Sequence, residues 1–229
     1  MNESQHIDSQ YERELLLLRQ EIVAMGTLVD GQVESALRAL LKRDTHSAHA
    51  VIAEDRFTNQ TERAIDEQCI RMLALRQPAA SDLRFIASAL KTVTDLERIG
   101  DRAANMAERA LILISEEQLR AADDVPNLCV KARDMLHEAL DAFVTSNAHQ
   151  AEAVIAADRE VDSLAFNLTR EIQQEMTRDS QAVKRGLATI TLVRDIERIA
   201  DHATNIAEMV IYSARGQDVR HVKPAGGAG

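Results

Sequence analysis

The chain has 229 residues, room for one large or two small domains with an adequate buried core. Three Pro, no Trp, four Phe and two Tyr, set among abundant Ala, Leu, Ile, Glu and Arg, indicate an all-helical protein. A formal charge of −10 argues against a nucleic-acid binder, since no basic stripe is left to release phosphate counterions; it suits a protein that handles cations or docks basic surfaces.

The N-terminal MNESQHIDSQ is polar and unlike a signal peptide. No apolar run approaches the roughly 18–20 residues of a membrane span. Cys69 and Cys129 have no CxxC spacing, as expected of reduced, buried thiols in a cytoplasmic protein. From Leu15, the apolar residues Leu18, Ile22, Met25, Val29, Val33, Ala36 and Leu40 recur in steps of three and four, the stripe of a long amphipathic helix. That stripe stops around Lys42 to Thr45. Asp44 and Thr45 can cap a second helix, which carries Val51, Ile65, Cys69 and Met72 to about Arg76. Pro78 ends it, and a third helix is predicted from near Ala80 to about Ser115. A polar break with Asp123, Asp124 and Pro126 opens a fourth helix, striped by Leu128, Ala132, Met135, Ala139 and Ala142. Ser146 and Asn147 separate it from a fifth, Asp179 and Ser180 separate the fifth from a sixth, and the sixth fades by Arg215.

Two halves emerge from this order, residues 10–116 and 120–215, followed by a tail, 216–229, whose Gly-rich HVKPAGGAG is expected to be disordered. The halves are copies. Residues 95–108 read DLERIGDRAANMAE and residues 195–208 read DIERIADHATNIAE, identical at nine positions. VIAEDR at 51–56 recurs as VIAADR at 154–159, now with an offset of 103, and the change in offset falls where the first copy has the longer connection. The expected architecture is all-α: two antiparallel three-helix bundles in tandem, with helices of about 30 residues and roughly 45 Å.

A duplicated packing unit needs to keep only its apolar pattern, yet here the polar letters persist. On a helical wheel Glu97, Asp101, Asn105 and Glu108 fall on one arc, opposite Ile99, Ala103 and Met106; Glu197, Asp201, Asn205 and Glu208 repeat the arrangement. Carboxylates at i and i+4 repel, by a few tenths of a kcal/mol, unless a basic neighbour or a cation offsets them. The preceding helix carries Asp158 with Asp162 in the second half, and Asp55 with Asn59 in the first. In a three-helix bundle these pairs can approach the Glu/Asp pairs and form a hard, oxygen-rich site, suited to Mg, Mn, Ca or Fe more than to a thiolate-type zinc centre. The plain alternative is a solvated face, with Arg98, Arg102 and Arg198 as salt-bridge partners in the same turns. Asp95 and Asp195 lie well off this arc and are expected to pair with an Arg or to cap a neighbour. His202, where the first copy has Arg102, could be an extra ligand in one site, but a place behind the ligands or on the surface is favoured.

Enzymatic readings lack parts. The Glu-x-x-His spacing of a carboxylate-bridged oxidase occurs only at Glu3 and His6, and GxxxxGK[ST], GxSxG and HExxH are absent. With the carboxylates opposite the apolar stripe, metal-dependent binding or assembly is favoured over catalysis.

ALKTVTDLERIGDRAANMAE and its partner ATITLVRDIERIADHATNIAE, with the upstream DRxxN and DRxxD segments, resemble the PhoU family of bacterial regulators of phosphate-specific transport. The resemblance spans nearly the whole chain. It implies two PhoU-type bundles, each with paired E(D)xxxD motifs able to bind metal: Glu97 and Asp101 with Asp55 and Asn59, and Glu197 and Asp201 with Asp158 and Asp162. The ion implied is divalent or iron-type, Mg, Mn, Fe or Zn. Asn59 removes a carboxylate from the first site and Arg102 replaces the His usual after the second acid, so the second site is expected to be the better one. The resemblance further implies a non-enzymatic repressor of the phosphate-starvation response. It would act as an adaptor between the ATPase subunit of a phosphate ABC importer and a sensor histidine kinase, and reach the membrane only through those partners. Long Ala-rich helices point to a homodimer. The competing readings are a metal-storage or carboxylate-bridged metalloenzyme bundle and a purely structural helical adaptor.

Overall fold

The computed structural model describes residues 3–220. Six long α-helices carry the chain: α1 (Glu3–Lys42), α2 (Thr45–Arg76), α3 (Ala80–Leu113), α4 (Val125–Thr145), α5 (Ala148–Arg178) and α6 (Val183–Arg215). Single 3-10 turns at Arg120–Ala122 and Ser180–Ala182 lead into α4 and α6. α1, α2 and α3 pack on one another, as do α4, α5 and α6, which is the pair of three-helix bundles implied by the duplication.

The helix breaks follow from local chemistry, and both copies use the same device. Arg43 and Ser146 adopt left-handed backbone angles (φ 54° and 51°), which terminates the preceding helix. The next residue then caps the new one. Asp44 accepts from the His46 and Ser47 amides, and Asn147 from the His149 and Gln150 amides. A non-Gly residue in that conformation costs about 1–2 kcal/mol, and a cap of this kind returns about 1 kcal/mol. Pro126 sits in the first turn of α4, where its missing amide hydrogen is no loss.

On α1 the expected stripe is the buried one. Leu18, Ile22, Met25, Val29, Val33 and Ala36 are all inside, while Leu40 is half-buried. α3 and α6 share the most extensive helix–helix contact. They run antiparallel, because Asp95 meets Asn205 while Asp195 meets Arg102. The buried side chains of both bundles consequently form one continuous core, with the duplicated helices at its centre. A polar clamp joins α1 to α4: Arg133 donates to both oxygens of Asp30 (2.8 and 3.0 Å) and to Glu34 (3.1 Å). Beside it Gly26 leaves just enough room for Leu140.

Of the 216–229 tail, residues 216–220 are described. Gly216 (φ 70°) closes α6 with its amide on the Tyr212 carbonyl, and Val219 packs against the core. Residues 221–229 lie outside the described residues. Among those described, no helix is long and apolar enough to cross a membrane.

Candidate metal centre

The acidic residues singled out from the sequence converge on two seams, one between α2 and α3 and one between α5 and α6. In the second half α5 presents Asp158 and Asp162 one turn apart, and α6 presents Glu197 and Asp201 likewise. Carboxylate oxygens of Asp158, Asp162 and Asp201 all lie within 4.8 Å of one another, the spacing of ligands around one cation. Asp158 Oδ1 is buried with no hydrogen-bond partner. Burial, then the charges of Asp162 and Asp201, push the Asp158 carboxyl up to about 6. Burial, then Asp201 and Asp162, also push Glu197 up, so Glu197 faces the same cluster. Asp201 is raised by burial and by Asp162, and opposed by Arg198, whose guanidinium stands 3.6 Å away. An orphaned carboxylate oxygen amid like charges fits a hard cation, which would satisfy the lone pairs and relieve the repulsion together.

The first half is built differently. Asn59 turns back on its own helix and donates to Asp55 Oδ2 at 2.9 Å, leaving Asp55 Oδ1 buried and unpartnered. Glu97 and Asp101 face this pair from α3. Burial and then Asp101 raise Asp55, while burial, Asp101, Glu62 and Asp55 raise Glu97. Glu62 is the residue that sequence reasoning missed. It stands one turn beyond Asn59 on the same face of α2, and burial and Asp66, with Asp101 further off, raise its carboxyl. Its signal was available, since Asp55, Asn59, Glu62 and Asp66 follow at spacings of four, three and four. The corresponding positions in the second half are Ala165 and Thr169, which hid the stripe from a comparison of the repeats.

Behind the first seam lies a buried polar pair that the second half lacks. Thr58 Oγ1 donates to Gln32 Oε1 at 3.1 Å, and Gly100 leaves the space both occupy. At the matching positions stand the buried apolar residues Met135, Val161 and Ala200.

Three sequence expectations change. The arc containing Asn105, Asn205, Glu108 and Glu208 does not act as one unit. Asn205 crosses to the other bundle and donates to Asp95 at 3.0 Å. His202 is buried and pairs through Nδ1 with Asp95 at 2.9 Å, so it does not lie on the surface. Arg102 likewise leaves its own turn for Asp195, 3.3 Å away. The helical wheel gives each residue's direction but not the identity of the helix waiting there. The carboxylates themselves are partly buried in grooves between helices, apart from the exposed Asp162, and do not lie on an open face.

Fold and side chains thus define an internally duplicated six-helix protein with a carboxylate-lined seam in each half. Comparison with known proteins places it further. The family model for the PhoU domain matches twice, over residues 22–110 and 125–210, and the chain belongs to the PhoU family. It is 46% identical over 218 residues to the phosphate-specific transport system accessory protein PhoU homolog of Pseudomonas aeruginosa, covering 95% of this chain and 90% of that one. It is 36% identical over 222 residues to the accessory protein PhoU of Escherichia coli, covering 97% and 92%. The crystal structure of PhoU from Pseudomonas aeruginosa superposes with a TM-score of 0.87 at 45% identity, over 90% of this chain and all of that one. The phosphate transport system regulatory protein PhoU from Streptococcus pneumoniae gives 0.85 at 31% identity, over 91% and 99%. The family is a phosphate-regulatory one, and these relatives are named as accessory or regulatory proteins.

Proposed function

We propose that this protein is a cytoplasmic negative regulator of phosphate uptake and of the phosphate-starvation response, acting as an adaptor whose acidic seams hold metal ions. Family membership supports the regulatory role, and the proposed partners are the ATPase subunit of a phosphate ABC importer and a sensor histidine kinase. Residues 10–116 and 120–215 serve as the two structural units, and the working form is a homodimer. The observation that carries the metal assignment is the trio Asp158, Asp162 and Asp201, with its orphaned, buried Asp158 oxygen. Glu197 completes a four-carboxylate set, and the ion is divalent or iron-type. The first seam, with Asp55, Asn59, Glu97 and Asp101, is the second candidate, and Glu62 supplies there the carboxylate that Asn59 lacks. A regulator of this kind needs no turnover, only a scaffold that a bound cation stiffens.

The test is a deletion strain carrying a starvation-responsive reporter in phosphate-rich medium. Loss of the protein turns the reporter on, the wild-type chain silences it, and an Asp158→Asn, Asp201→Asn variant silences it poorly. A reporter that stays silent without the protein contradicts the regulatory reading. Full silencing by the variant contradicts the role of the metal.

A further inference from the structure

Each half of a duplicated fold shows how the other would be filled, and at one place the copies differ by an aromatic cluster. Phe143 of α4 packs on Phe85 of α3 with ring centres 5.7 Å apart, and the Arg19 guanidinium lies 4.1 Å over the Phe85 ring. Both rings are buried. The matching residues are Leu40 for Phe143, Arg185 for Phe85 and Ala122 for Arg19. Arg185 does not replace a ring, because its guanidinium turns to Asp179, 3.3 Å away. Leu40 and Ala122 instead border a cavity of about 90 Å³, a rare gap in a close-packed interior. Leu37 and Leu41 of α1, Leu113 of α3 and Leu192 of α6 complete its apolar wall. Leu41 is 56% exposed, so the cavity opens to solvent beside it.

One ring is missing inside, and one is surplus outside. Phe166 of α5 is 67% exposed, and its counterpart in the first half is Arg63. Among the described residues it makes no ring contact and does not pack on the core. The other exposed ring, Phe57, is 46% exposed and lies under its neighbour's guanidinium, Arg56, at 4.7 Å. An enclosed apolar cavity of about 150 Å³ holds a whole benzene. The smaller cavity here, open on one side, takes a single ring end-on while the helix that carries it stays outside. We propose that Phe166 of one copy seats in this cavity of a second copy. In a two-fold dimer the exchange is reciprocal, each copy giving one ring and receiving one. A buried aromatic anchor in an apolar pocket is the kind of contact that dominates the energy of an interface. The inference rests on the homodimer reading above and names the side chains that hold the dimer together.

Sedimentation equilibrium of the full chain tests this, run in chelator so that no seam-bound cation bridges two copies. The wild type is expected to dimerise reversibly. Phe166→Ala, at an exposed position, should weaken the dimer about tenfold or more with unchanged helical content. Leu40→Phe fills the cavity from within, as Phe143 does in the other half, and should weaken the dimer to a similar extent. Combined with Phe166→Ala it should add little, since both changes remove the same contact. Phe57→Ala removes the other exposed ring and should leave the dimer as it is. If Leu40→Phe does not fold, the two variants at exposed rings decide. A wild type that stays monomeric up to about 1 mM overturns the homodimer reading and this proposal together. A dimer that survives Phe166→Ala unchanged overturns the proposal alone. So does a dimer that Phe57→Ala weakens as much, or one that a folded Leu40→Phe leaves intact.

Discussion

His202 of α6 reaches across the junction of the two bundles to Asp95 of α3, 107 positions away, with its Nδ1 2.9 Å from the carboxylate. It follows directly on Asp201, one of the clustered acids of the second seam. A change at that seam is therefore one residue from a contact with the other bundle. Arg102, the repeat counterpart, stands in the same relation to Asp101 and reaches Asp195.

Replacing Asp95 with Ala should destabilise the protein by about 1–3 kcal/mol, because His202 and Asn205 lose their shared acceptor inside the core. For a chain of this size that is a fall in Tm of roughly 3–10 °C. A double-mutant cycle with His202→Ala should show coupling, and additive losses would mean the two side chains do not support each other.

The Asp158 carboxyl gives the metal-free protein a pH dependence with a definite sign. Its value in the folded state, about 6, lies above the ordinary 3.8, so the native state holds this proton more tightly than the unfolded chain. The associated stability is present at low pH and lost as pH rises through the window from about 4 to 6. Asp158→Asn should accordingly raise Tm at pH 7.5 in chelator by about 2–4 °C, with the advantage vanishing near pH 4. Adding a divalent cation should reverse the order, since the wild type gains a ligand and the variant has lost one. Thermal unfolding with and without cation checks both signs.

Gly100 is held to its size by Thr58 and Gln32. A Cβ there would sit 2.9 Å from Thr58 Cγ2 and 3.3 Å from Gln32 Oε1. Both neighbours are buried. Gly100→Ala should cost about 1–3 kcal/mol despite the better helix propensity of Ala. Thr58→Ser removes the obstructing methyl but keeps the hydroxyl, so the double variant should recover most of the loss in a denaturant titration.

In the first seam, Asn59→Asp adds a fifth carboxylate where Asp55, Glu97, Asp101 and Glu62 already meet. Cation affinity there should rise by about tenfold, and metal-free stability should fall through added repulsion. Glu62→Gln should lower that affinity by a similar factor. Calorimetric titration in an Asp158→Asn, Asp201→Asn background isolates the first seam, and an unchanged affinity in both variants would remove Glu62 from it.

Most of the fold was legible because its punctuation is local. Asp44, Pro78, Pro126 and Asn147 announce helix boundaries through backbone chemistry that needs no tertiary partner, and the stripe from Leu18 to Ala36 names its own buried face. The pairing of Asp158 and Asp162 with Asp201 was legible for a related reason, since the spacing on each helix and the antiparallel order of neighbours bring them together. What crosses between bundles was not. An Arg on Asp195 was expected and is found, but which residues meet Asp95, Asp195, Arg102 and Asn205 depends on how α3 lies on α6, which no periodicity encodes. Glu62 escaped because attention to matched repeats discards what one copy has alone.

The most direct measurement is elemental analysis of the purified full chain after metal loading and dialysis, beside an Asp158→Asn, Asp201→Asn variant treated identically. The account predicts a bound ion retained in stoichiometric amount by the wild type and lost from the second seam of the variant, with helical content unchanged. Equal metal in the two proteins, or none in either, would contradict it.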